Sequence, residues 1–140
     1  MMEKHMIAFE DIAESRRKVA IVGLGYVGLP LAVALSHHFT VIGFDISEAR
    51  IAELLSGQDS TREVAPEKLK QAKIEYTIDP TLLAQAGVIV VAVPTPIDGN
   101  RKPDLRPVIG ASTTVGRHLS AGSIVVYEST VYPGLTEEIC

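Results

Sequence analysis

The chain has 140 residues, 46% hydrophobic and 21% charged, a balance ordinary for one globular α/β domain with a sizeable core. Its 13 basic and 17 acidic side chains leave a net charge of −4, which offers nucleic acid no electrostatic footprint. No apolar run approaches the roughly 20 residues that span a bilayer, and the single cysteine, Cys140, excludes an internal disulfide framework and fits a reducing cytoplasm.

Residues 1–17 have charges scattered through them and no apolar core of a signal peptide, so a secretory signal is not expected. Two readings stay open for this lead-in: one or two amphipathic turns through Ile7, Phe9 and Ile12, or a frayed terminus. The four histidines (His5, His37, His38, His118) lack a ligand-like spacing, so no metal site is expected.

Lys18 to Asp45 is the most informative stretch. Val19, Ile21 and Val22 are β-branched and form the short apolar run of a parallel strand covered on both faces. Gly23-Leu24-Gly25-Tyr26-Val27-Gly28 follows. In such a turn the first glycine allows the bend, the second lets the backbone approach a bound group, and the third lets the helix pack close to the strand. The apolar run Leu29 to Leu35 is the expected helix, with Pro30 in its first turns where a missing N–H does least harm. Its N-terminus would present free N–H groups and a positive dipole end to an anion. Thr40 to Phe44 is the expected second strand, with Asp45 at its tip, about 20 residues beyond the middle glycine. At that spacing a carboxylate meets adenosine ribose hydroxyls and repels a 2′-phosphate, which favours NAD over NADP. The alternative for this stretch is a strand–turn–helix that holds no ligand.

The spacing then predicts a helix from Ser47 to Leu55, with Ser47 as N-cap and Gly57 as stop. Arg50 in that helix is open to two readings, a cation over the adenosine end of the cofactor or a solvated helix residue. Gln58 to Val64 is polar and reads as loop, Pro66 to Ala72 as a short helix, and Ile74 to Ile78 as an edge strand. A helix is predicted from Asp79-Pro80-Thr81 through Leu82, Leu83 and Ala86 to Gly87, followed by a strand at Val88 to Val93. That strand stops at Pro94-Thr95-Pro96, where neither proline can donate to a ladder. Thr95 would then look at the same crevice as the glycine turn. Ile97 to Pro107 reads as loop, Val108 to Leu119 as a helix, and Ser123 to Tyr127 as the last strand. Thr136, Glu137 and Glu138 resemble the start of another helix, so the chain is expected to be a fragment. The alternation predicts a single Rossmann-type domain: a doubly wound parallel sheet in the order 3-2-1-4-5.

The segments KVAIVGLGYVGLPLA (18–32), GFDIS (43–47), VAVPTPID (91–98), KPDL (102–105) and VVYESTVYPGLTEE (125–138) together resemble the N-terminal domain of UDP-glucose/GDP-mannose dehydrogenases. Within that family the chain is similar to the branch that oxidises UDP-N-acetylhexosamines, including enzymes that make uronic acids for surface polysaccharides. The resemblance runs from Lys18 to Cys140. It implies an NAD-dependent, two-step oxidation of a sugar C6 hydroxymethyl to a carboxylate. It also implies that Gly23, Leu24, Gly25, Tyr26, Val27 and Gly28 hold the pyrophosphate and that Asp45 and Arg50 hold the adenosine ribose. Thr95 would line the cofactor site, Ser129 and Thr130 would reach the nicotinamide side, and Thr130 would help position a catalytic water.

The family's nucleophilic cysteine, with its supporting lysine and asparagine, lies in motifs that have no counterpart here. Cys140 does not match the nucleophile motif. The resemblance therefore implies that residues 18–140 bind NAD but do not turn over a UDP-sugar, whose pocket lies mostly elsewhere. For a full-length enzyme it implies a cytoplasmic homo-oligomer without nucleic-acid or membrane partners, and for these residues alone a monomer. Two other readings remain at this point: a stand-alone NAD(H)-sensing module, and an NAD-dependent dehydrogenase of another family sharing the fold.

Overall fold

A computed structural model describes residues 17–96 and 102–128. One five-stranded parallel sheet runs β3-β2-β1-β4-β5, with β1 at Lys18–Val22, β2 at Val41–Phe44, β3 at Ile74–Thr77, β4 at Ala86–Val91 and β5 at Ile124–Tyr127. This is the expected order. The helices are α1 at Gly28–Ser36, α2 at Glu48–Leu55, α3 at Pro66–Gln71 and α4 at Arg106–His118, with a 3₁₀ helix at Pro80–Gln85. None is long and apolar enough to cross a membrane.

The central strand shows why the sheet needs cover on both faces. Alternate residues of β1 feed two separate cores. Val19 and Ile21 join Leu29 and Val33 of α1, Ile51 and Leu54 of α2 and Leu69 of α3. Ala20 and Val22 join Ile42, Phe44, Ile89 and Val91, with Leu83, Ala111 and Val115 from the 3₁₀ helix and α4. The right-handed crossover rule sorts the connections this way: those running from β1 toward β3 lie over one face, and those running from β3 back to β4 and β5 lie over the other.

Three boundaries differ from expectation. The segment after Asp79 is a 3₁₀ helix, and Ala86 and Gly87 belong to β4 instead. Asp79 Oδ1 caps the turn by accepting from the Thr81 amide at 3.0 Å, but the ladder claims Ala86 before an α-helix can develop. The register slips between Lys18–Ala86 and Val19–Val88, so Gly87 is the extra residue of a bulge. β4 correspondingly ends at Val91, with Ala92 N–H still donating to Val22 O at 2.8 Å. Finally, α4 begins at Arg106, so Arg106 and Pro107 are helical and not loop, consistent with proline's fitness for a first turn.

Leu83 is fully buried and ties the 3₁₀ helix to the core. Leu83→Ala should destabilise the fold by about 2–5 kcal/mol, as for other buried leucines. Urea unfolding followed by circular dichroism measures it.

Candidate functional site

A cleft of 520 Å³ opens beyond the carboxyl ends of the central strands. One wall is the end of β1 with the turn Gly23-Leu24-Gly25, a second is Phe44, Asp45 and Ile46 at the end of β2, and a third is Val93 and Pro94 after β4. The fourth is the first half of α4, through Arg106, Pro107, Gly110, Ala111 and Thr114. Here the strand order reverses direction on either side of the β1–β4 pair, which is where open α/β sheets bind ligands.

The glycine turn is built by close approach. Gly23 has φ +97°, and a Cβ there would meet Val93 Cγ1 at 2.9 Å and the Val93 amide nitrogen at 3.0 Å. A Cβ on Gly28 would sit 1.7 Å from Gly23 O, so only glycine lets α1 start this close to the strand. Gly25 is different: a Cβ there meets nothing within 4 Å. The backbone at Gly25 is open to an approaching group, while Tyr26 and Val27 are exposed at the tip.

The two neighbouring helix starts differ in how they are finished. α2 is capped by Ser47 Oγ, which accepts from the Arg50 amide at 3.2 Å, and Glu48 adds an acid to the first turn. α1 has no side-chain cap at Val27 and no acid in its first turn. Leu29 N–H donates to Gly25 O at 3.2 Å and Pro30 has no N–H, so this start carries no capping or acidic side chain that would compete with an anion at the turn.

Asp45 is pinned at the rim. Its Oδ2 accepts from the Leu24 amide and its Oδ1 from the Ser47 amide, both at 2.9 Å. Ile46 beside it is 83% exposed, an apolar surface facing the small-residue wall of α4. Gly110 on that wall has open space where a side chain would stand. Arg106 at its edge is held by Asp104, at 3.0 Å from Nε and 2.7 Å from Nη2. The Arg106 side chain, seconded by its amide, holds the Asp104 carboxyl at about 2.

Arg50 is not a solvated helix residue. Its side chain is only 12% exposed, and Nε donates to Leu24 O at 2.7 Å. Nη1 lies 2.6 Å from Glu53 Oε1 and 3.0 Å from Asp59 Oδ1. Burial pushes the Asp59 carboxyl up, but hydrogen bonds from Thr61, the Val64 amide and Arg50 outweigh it and leave it below its ordinary value. The Ser60 amide, helped by Arg50, likewise lowers Glu53. Tyr76 on β3 completes the group: burial, opposed by Arg50 and reinforced by Asp59, pushes its phenol up to about 12. Its ring lies over Gly43 of β2, where a Cβ would press on it at 3.2 Å.

The structure thus brings Gly23, Leu24, Gly25 and Asp45 to one cleft and sets Arg50 behind the turn. Val93 and Pro94 line the cleft, and Thr95 follows them, half-buried. Ser129, Thr130 and Cys140 lie outside the described residues. Gly110, Thr114 and Asp59 had no motif to mark them, and Ile46 stood only as a member of the GFDIS segment. The only signal for α4 was a helix with Gly and Ala among its early positions after a proline-rich loop, and Asp59 sat in an apparently featureless polar stretch.

The chain is similar to known proteins over most of its length. Residues 17–140 match the model of the UDP-glucose/GDP-mannose dehydrogenase family, NAD binding domain. Protein CapL of Staphylococcus aureus is 56% identical over 124 residues, covering 89% of this chain and 29% of CapL. The UDP-N-acetyl-D-glucosamine 6-dehydrogenase of Pseudomonas aeruginosa is 55% identical over 124 residues, covering 88% of this chain and 29% of that protein. Among solved structures, a UDP-D-ManNAc dehydrogenase from Pyrococcus horikoshii superposes with a TM-score of 0.78 at 32% identity, over 86% of this chain and 30% of its own. The chain therefore spans about three-tenths of the length of these relatives.

The acid cluster behind the turn has a measurable signature. Asp59 and Glu53 titrate below their ordinary values of 3.8 and 4.5, so the stability they add is complete above those values and is lost as pH falls through the folded ones. Wild-type stability should decline on acidification below about pH 4. In the double variant Asp59→Asn/Glu53→Gln that decline should be shallower, as read from urea midpoints between pH 3 and pH 6.

Proposed function

The chain belongs to the UDP-glucose/GDP-mannose dehydrogenase family, and on that premise we propose that residues 18–140 are the NAD-binding domain of a nucleotide-sugar 6-dehydrogenase, preceded by a lead-in at 1–17. The enzyme oxidises the C6 hydroxymethyl of a UDP-N-acetylhexosamine to the uronic acid, at the expense of two NAD+, in the cytoplasm. The names of the relatives support this substrate class, since those of Pseudomonas aeruginosa and Pyrococcus horikoshii are dehydrogenases of UDP-N-acetylated hexosamines. The remaining parts of the reaction, including the covalent step, belong to portions of the family that this chain does not span.

The observation that carries the cofactor reading is the Asp45 carboxylate, fixed by two backbone amides at the rim of an open cleft beside an uncapped helix start. A carboxylate oxygen that accepts one amide keeps a lone pair for a ribose hydroxyl. The pyrophosphate would lie against Gly25 and the first turn of α1, with Tyr26, Val27 and Gly28 closing the turn. The adenine would lie between Ile46 and the Gly110–Thr114 face of α4. Thr95, Ser129 and Thr130 would serve the nicotinamide end, with Thr130 positioning water. NAD supplies the hydride acceptor, and what these residues do is bind and orient it.

Two substitutions test the two ends of this placement in calorimetric titrations. Asp45→Ala should weaken NAD+ binding by about 1–3 kcal/mol, because a charged acceptor is lost, and should reduce discrimination against NADP+. Unchanged affinity for both would remove Asp45 from the site. Gly110→Leu should raise stability by up to about 1 kcal/mol, because leucine is the better helix former at this exposed position. The same side chain should fill the adenine slot and cut NAD+ affinity at least about tenfold, the cost of one displaced contact of about 1.4 kcal/mol.

A further inference from the structure

No motif marks the loop between α2 and α3, yet it holds a carboxylate that is almost wholly enclosed. The Asp59 side chain is 1% exposed. Its Oδ1 accepts from the Thr61 amide at 3.0 Å and the Thr61 hydroxyl at 2.6 Å, and stands 3.0 Å from Arg50 Nη1. Its Oδ2 accepts from the amides of Glu63 and Val64 at 3.0 and 3.1 Å. Asp59 therefore both folds its own loop and presents that loop to Arg50.

We infer that Asp59 is a positioning and specificity-determining residue for the dinucleotide: it holds the Arg50 guanidinium against the Leu24 carbonyl, orienting the glycine turn for a pyrophosphate, and withholds that cation from a 2′-phosphate. The inference rests on the NAD reading above. An arginine on a helix surface normally keeps its guanidinium in water. Here Nη2 is buried with no partner among the described residues, a cost that persists only where the surrounding contacts over-determine the side chain. Those contacts are Glu53 from the same helix, Asp59 from the loop, and Leu24 O from the turn. The Leu24–Gly25 peptide is trans, so with Leu24 O drawn to Arg50, the N–H of the same peptide, that of Gly25, points the opposite way. The orientation of the amide at the heart of the turn is thereby set from behind. Charge works in the same direction. Two carboxylates against one guanidinium leave the cluster net negative, and Asp45 adds to it.

Titration of the 140-residue chain with NAD+ and NADP+, with folding followed by thermal melts, tests this on Asp59→Asn, Arg50→Ala and the double variant. Asparagine keeps one acceptor oxygen and loses the charge that draws Arg50, but its NH2 meets the amide donors of the loop, which is why the melts accompany the titrations. Asp59→Asn should raise the Kd for NAD+ about tenfold, the scale of one charge-assisted hydrogen bond, and should lower the preference for NAD+ over NADP+. In the Arg50→Ala background the same substitution should have no further effect, because Asp59 acts through Arg50. Unchanged affinity in folded Asp59→Asn overturns the inference, as does a loss that persists undiminished without Arg50. If Asp59→Asn does not fold, Glu53→Gln replaces it in the same cycle: coupling to Arg50 supports the lock and additivity overturns it. Failure of the wild-type chain to bind NAD+ at all is a separate result, which overturns the cofactor reading and this inference with it.

Discussion

The site depends on how one residue, Leu24, is held by its backbone. Its N–H is taken by Asp45 at 2.9 Å and its C=O by Arg50 at 2.7 Å. A turn that rises from a buried strand would otherwise be free to rotate its peptides, since glycines on either side impose little. With both polar groups of the intervening residue engaged, rotation of the peptides on either side of it is opposed. The side chain contributes as well, because Leu24 is fully buried and packs in the core under α1. Hydrophobic burial fixes where the residue is, and the two charged partners fix which way its amides face.

Both partners are supplied by the second βα unit. Asp45 ends β2 and Arg50 sits in the first turns of α2, so the strand that neighbours β1 in the sheet provides the clamp for the turn that follows β1. The pairing is possible because parallel neighbours end on the same side: Val22 is in register with Phe44. Gly23 N–H donates to Phe44 O at 2.9 Å, which carries the ladder into the turn itself. On the other side Ala92 N–H donates to Val22 O at 2.8 Å, and the chain then departs toward α4. The cleft lies where these two departures diverge.

Behind the clamp, local electrostatics are arranged for rigidity more than for titration near neutral pH. Asp59 and Glu53 stay ionised well below it and Tyr76 stays neutral well above it. The cluster is a fixed charge pattern that supports the turn throughout the physiological range. By contrast Arg106, across the cleft, is 90% exposed and, among the described residues, is paired with Asp104.

Much of this was legible in the chain. The β-branched run before Gly23, the spacing of the glycines and the acid beyond Phe44 determined a strand, a turn, a helix and a second strand with a carboxylate at its tip. Together with alternation along the rest of the chain, they determined the sheet order, because right-handed crossovers leave few alternatives. Local sequence could not place the start of β4, which depends on a bulge opposite β1, nor the α or 3₁₀ character of Pro80–Gln85, which depends on where the ladder claims the chain. It also left Arg50 between two readings and Asp59 unremarked. Their contacts join residues far apart in sequence, and a polar loop looks solvated until the fold shows what covers it. Periodicity reports which face of an element is buried. Which polar group is enclosed with which partner is decided only when the elements pack, because a buried charge persists only where other parts of the chain complete its hydrogen bonds.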